Sequence, residues 1–177
     1  MVVDNGIHLD NFILNGSTVD GNVRINNDAG DSLTDVLNGS EIGGNLDITN
    51  QAGFDHLTIN ASTVDGRVRV NNGDGGAFFG SVTDVHSGSS VGGNLVVRNE
   101  DGTNLVLLAA ATVGGRITVS NGAGGSDTQI DGSLISGALR VSNGAGIDNV
   151  SLATRPCSGE LASRKATAAA LSHSRTA

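Results

Sequence analysis

The chain has 177 residues, enough for one domain with a substantial core, yet the bulky core-builders are nearly absent: Phe 4, Trp 0, Tyr 0 and Met 1. With 27 Gly, one Pro, one Cys and 16% charged residues, the composition excludes a disulfide-stapled fold, a collagen-like fold and a strongly charged disordered chain. A formal net charge of -8 argues against nucleic acid or an anionic membrane surface as partner, and no apolar run approaches the roughly 20 residues of a membrane-spanning helix.

The opening residues, MVVDNGIHLD, carry neither the basic start nor the apolar stretch of a signal peptide. Residues 5–16 (NGIHLDNFILNG) align without gaps on residues 50–61 (NQAGFDHLTINA). The chain is therefore expected to open in mid-coil, with Met1 and Val3 on inward columns.

From Ser17 a string of the form [SA]-x-[VI]-x-G-x-[VIL]-x-[VI]-x-N recurs: STVDGNVRINN from Ser17, SEIGGNLDITN from Ser40, STVDGRVRVNN from Ser62, SSVGGNLVVRN from Ser89, ATVGGRITVSN from Ala111 and SLISGALRVSN from Ser133. The start-to-start spacings are 23, 22, 27, 22 and 22 residues. A spacing near 22 with period-2 alternation inside each copy predicts β-strands stacked as a solenoid, since helical repeats have longer periods and a 3.6-residue apolar pattern. Three inward columns follow: Val19/Ile42/Val64/Val91/Val113/Ile135, Val23/Leu46/Val68/Leu95/Ile117/Leu139 and Ile25/Ile48/Val70/Val97/Val119/Val141. A less regular second strand is expected at Phe12/Leu14, Leu57/Ile59, Leu105/Leu107 and Val150/Leu152, with Val36, Val82, Val85 and Ile130 as its partners in the remaining coils.

Two further columns call for a physical account. Asn27, Asn50, Asn72, Asn99, Asn121 and Asn143, with Asn5 in register before them, are expected to form a corner ladder in which each side-chain amide bonds the next. Gly21, Gly44, Gly66, Gly93, Gly115 and Gly137 mark a bend where a side chain does not fit or where φ is positive.

The stretches VGGNLVVRNEDG, TVGGRITVSNGAGG and LRVSNGAGIDNVSL resemble the Gly/Asn-rich repeats of large exported bacterial proteins that form right-handed parallel β-helices of the pectin-lyase-like or adhesin-passenger type. The resemblance covers residues 1–153 and implies an all-β fold, a right-handed single-stranded parallel β-helix of six to seven coils. It carries little about activity, because that architecture hosts lyases, hydrolases, adhesins and spacers alike. It implies an extracellular or cell-surface setting in a larger parent protein.

After Ala153 the pattern stops. The tail, 154–177, holds the only Pro, Cys and Lys and carries a net charge of +3, leaving six Arg against 17 Asp and Glu, or -11, in residues 1–153. The tail is expected to be disordered, replacing further coils, or to cap the last coil with a short helix over GELASRKATAAAL, since Ala, Glu, Leu, Arg and Lys favour helix.

Several side chains are candidates for chemistry. Asp10, Asp55 and Asp148 share one motif position in glycine-rich turns, with Asp127 displaced by one, and are the calcium candidates; the competing role is turn formation. The outward column Arg24/Asp47/Arg69/Val96/Thr118/Arg140 suggests a ladder of opposite charges. The resemblance to β-helix lyases would make Asp47, with Arg69 or Arg67, a metal-and-base site. The third spacing, five residues longer than its neighbours, places Phe78 and Phe79 in an excursion that is the candidate binding feature. His8, His56 and His86 sit at different motif positions, and Cys157 has no partner cysteine.

The expected function is a non-enzymatic structural or adhesive rod with no catalytic residues and no cofactor. The alternatives are a degenerate polysaccharide lyase or hydrolase and a calcium-stabilised secreted module. Expected partners are a cell-surface or polysaccharide ligand and, end to end, other copies of the chain; nucleic acid and membrane insertion are not expected.

Overall fold

The fold is a parallel β-solenoid of about seven turns, seen in a computed structural model that describes residues 1–74, 80–153 and the backbone of 161–165. Every strand pairing is parallel, and the strands fall into three sheets. Sheet A has eight strands, from Val2–Asp4 through Val23–Asn26, Leu46–Thr49, Val68–Asn72, Leu95–Asn99, Ile117–Ser120 and Leu139–Asn143 to Leu161–Lys165. Sheet B has seven, from Asp10–Asn15 to Asp148–Ala153, and sheet C has six two-residue strands, from Thr18–Val19 to Leu134–Ile135. Eight levels about 4.8 Å apart make sheet A about 34 Å long.

The recurring string splits at its glycine into two strands on different sheets. The first apolar residue belongs to sheet C and the next two to sheet A. The glycine column turns the corner because the coils approach closely there, and none of its members has positive φ. A Cβ on Gly44 would lie 2.5 Å from Asn22 Oδ1, and one on Gly115 would lie 2.3 Å from Asn94 Oδ1. Those asparagines fill the space a methyl group would need: Asn22 Oδ1 accepts the Asn45 N–H at 2.8 Å, and Asn94 Oδ1 accepts the Arg116 N–H at 2.9 Å.

The inward positions of sheets A and C are aliphatic. All eighteen residues of the three inward columns are buried except Val19, which is half-buried. Burying each such side chain contributes roughly 1.5–3 kcal/mol relative to leaving it exposed.

On sheet B the inward columns are Phe12/Thr34/Leu57/Thr83/Val106/Thr128/Val150 and Leu14/Val36/Ile59/Val85/Leu108/Ile130/Leu152. Two expectations are corrected here. Leu105 and Leu107 are only half-buried on the outer side while Val106 and Leu108 point inward, and Val82 yields the inward position to Thr83. In the apolar run NLVLLA alternation alone cannot set parity. The buried Asn104, paired with Ser126 at the start of the strand, sets it.

Of the tail, expected to be disordered or to form a short helical cap, the described residues are a strand. Leu161–Lys165 adds to the edge of sheet A, in register with Leu139–Asn143. A sheet edge offers a row of backbone donors and acceptors, and pairing with it outweighs a modest helix propensity. The rest of the tail, with Cys157, lies outside the described residues.

Candidate functional site

Two polar columns at the corner after sheet A shape what the solenoid can bind. In the first, side-chain amides run unbroken from Asn5 to Asn27 (2.6 Å), Asn50 (2.7 Å), Asn72 (2.7 Å), Asn99 (2.8 Å), Asn121 (2.7 Å) and Asn143 (2.8 Å), each Nδ2 donating to the next Oδ1. From Asn27 onward these asparagines are buried, and the ladder satisfies them internally.

The second column contains the calcium candidates. Asp10, Asp55 and Asp148 do share it, but serines stand between: Asp10, Ser32, Asp55, Ser81, Asn104, Ser126, Asp148. Ser32 Oγ donates to Asp55 Oδ1 at 2.6 Å and Ser126 Oγ donates to Asp148 Oδ1 at 2.6 Å. The alternation keeps carboxylates at least two coils apart, and among the described residues no three His, Cys, Asp or Glu side chains gather. Asp127 lies in the adjoining outward column, paired with Leu105 and Asn149. Sequence reasoning missed this two-coil rhythm, although SLTDV at 32–36 and SVTDV at 81–85 announce it beside the Asp-headed strands of the intervening coils.

The charged groups are segregated by face. All six arginines of residues 1–153 belong to sheet A's outer side: Arg24, Arg69, Arg98 and Arg140 within its strands, and Arg67 and Arg116 immediately before them. The only acids in the outward positions of those strands are Asp4 and Asp47. Sheet B's outer side carries Asp35, Asp84, Asp127 and Asp131 and no arginine. There, burial raises the Asp84 carboxyl above its usual range, while nearby His86 and His56 pull it down; His86 Nε2 lies 3.7 Å from Asp84 Oδ2.

Around Asp47 an open groove of about 320 Å³ is lined chiefly by Arg24, Asn26, Thr49, Arg67, Arg69 and Asn71. Arg24, Asp47 and Arg69 occupy one cross-strand position on three successive levels. Asp47 nevertheless pairs with Arg67, whose Nη2 reaches Oδ1 at 3.1 Å and Oδ2 at 3.2 Å and whose Nε reaches Oδ1 at 3.2 Å. The Arg69 Nε is shielded from water and has no hydrogen-bond partner. Asp47 is thus engaged by Arg67, and Arg24 and Arg69 remain as cationic donors with no ion-pair partner among the described residues.

Phe78 and Phe79 lie outside the described residues. Among the described residues no helix is long and apolar enough to cross a membrane. Comparison with family models, curated proteins and solved structures gives no match.

Proposed function

We propose that this chain is a non-enzymatic, rod-like structural and adhesive module whose coils hold an outer surface for display. The observation that carries the reading is the contrast between the two sides of sheet A. One outward column runs Arg24, Asp47, Arg69, Val96, Thr118, Arg140 over neighbouring inward columns made solely of Val, Ile and Leu. Outer side chains can change without touching the core, which is what a display surface requires. The likeness of the repeat to exported bacterial β-helix proteins supports an extracellular or cell-surface setting.

The pairing of Asp47 with Arg67 also supports the non-enzymatic reading over a lyase, because a carboxylate bound by its own arginine is a poor base. The test is turnover. The full chain, incubated with and without calcium on a panel of uronate polysaccharides, is expected to leave chain length unchanged. Cleavage that disappears in Asp47→Asn would replace the display reading with a lyase.

A further inference from the structure

We propose that the outer face of sheet A is a binding site for a linear acidic polysaccharide, gripping its sulfates or carboxylates along the rod axis. This inference rests on the display reading and names its ligand class. A chain of net charge -11 over residues 1–153 nevertheless places every arginine of that segment on one face, where two acids leave a local excess of +4. Arg67 takes up Asp47, so Arg24 and Arg69, two levels or about 9.6 Å apart, flank the groove as cations with no ion-pair partner among the described residues. Guanidinium groups match the paired oxygens of carboxylate and sulfate. Asn26, Thr49 and Asn71, the neighbouring outward row on the same three levels, supply neutral hydrogen-bonding groups beside the cations, as a hydroxyl-rich ligand demands.

The stripe is narrow, which selects the ligand further. Sheet A strands of four or five residues give a face about 13–17 Å wide. Exposed acids border it on both sides: Asp20 and Asp65 before the strands, Asp28, Asp74, Glu100 and Asp101 after them. A duplex nucleic acid would overlap these acids. A single-stranded one relies on aromatic stacking platforms, and sheet A's strands contain no aromatic residue. A thin glycan chain fits between the borders.

The test uses the full 177-residue chain titrated at low salt with heparin, polygalacturonate, neutral dextran, oligo(dT) and duplex DNA. Binding to heparin, polygalacturonate or both, weakening with salt, is expected, and the two arms separate sulfate from carboxylate recognition. The double variant Arg24→Gln/Arg69→Gln is expected to bind about tenfold more weakly or worse. Arg155→Gln/Arg175→Gln, which lowers the charge of the basic tail by the same amount outside the strands of sheet A, is expected to bind as the parent does. Arg24→Gln/Arg140→Gln, at two exposed positions, serves if the Arg69 change lowers the melting temperature. Failure to bind either acidic glycan, unchanged affinity in the sheet A variants, or equal affinity for DNA would overturn the proposal. Shortening of a bound glycan would overturn the non-enzymatic reading instead and leave the binding site standing.

Discussion

Ser32 donates to one oxygen of the Asp55 carboxyl at 2.6 Å, while the other oxygen of that carboxyl is buried with no partner. Asp55 is 1% exposed, and burial pushes its carboxyl from 3.8 up to about 6, with the Ser32 bond opposing and the Asp31 charge reinforcing the rise. Asn104 stands in the same column and uses its amide to reach the Glu100 and Gly102 carbonyls.

A pH dependence follows from this site. The folded-state value lies above the unfolded one, so folding favours the protonated carboxyl. The Asp55 contribution is full below about pH 4 and is lost as pH rises through about 6, an effect on the order of 2–3 kcal/mol. Asp55→Asn should match the parent near pH 4 and exceed its stability by roughly that amount at pH 7.5. Urea melts followed by circular dichroism at both pH values check it, and an equal difference at the two would refute the assignment.

Val97 is fully buried on sheet A, and Thr118 faces outward one level on, beside Arg140. Val97→Asp buries an unpaired charge and should cost more than about 4 kcal/mol, enough to abolish the folded signal. Thr118→Asp should stay within about 0.5 kcal/mol. Equal melting temperatures would contradict the assignment of faces.

Asn72 accepts from Asn50 and donates to Asn99. Asn72→Ala removes both bonds and leaves a buried donor and a buried acceptor unsatisfied, a loss of about 2–4 kcal/mol in chemical denaturation. Asn72→Asp should be worse above pH 5, because the Asn99 Oδ1 would then face a carboxylate.

Two alanine–glycine exchanges should have opposite signs. Gly115→Ala forces a methyl against Asn94 Oδ1 and the Gly93 backbone and should lower stability by about 1–3 kcal/mol. Ala110 is exposed and held at φ 52, in the left-handed region, so Ala110→Gly relieves strain and should raise stability by up to about 1 kcal/mol. Differential melting temperatures of the two variants measure both.

Much of the solenoid was legible because the inward positions of sheets A and C recur as Val, Ile or Leu at a spacing close to 22. Val70 and Val97 can be placed on one column without knowing anything else. Legibility failed where the chain itself is ambiguous: NLVLLA offers two equally apolar parities, and only the partners of Asn104 choose between them. The edge strand Leu161–Lys165 was hidden because its pairing depends on a neighbouring coil rather than on its own composition. The arginine face was hidden for a different reason. Arg24, Arg69 and Arg140 share one motif position, Arg98 lies two residues later, and Arg67 and Arg116 precede the strand. Reading column by column scatters them over three positions, and folding gathers them onto one surface.

The long third spacing shows how this architecture handles growth. Val68 pairs with Leu95, 27 residues on, where its other neighbour Leu46 is 22 residues back, yet the amide contact from Asn72 to Asn99 is 2.8 Å like the rest. The vertical interval stays fixed across the longer spacing. Distance along the rod is therefore quantised: groups on different coils can be separated only by whole steps of about 4.8 Å. A lineage carrying this fold could respace the charges on its surface by gaining or losing entire coils, and could elaborate its corners without disturbing that spacing.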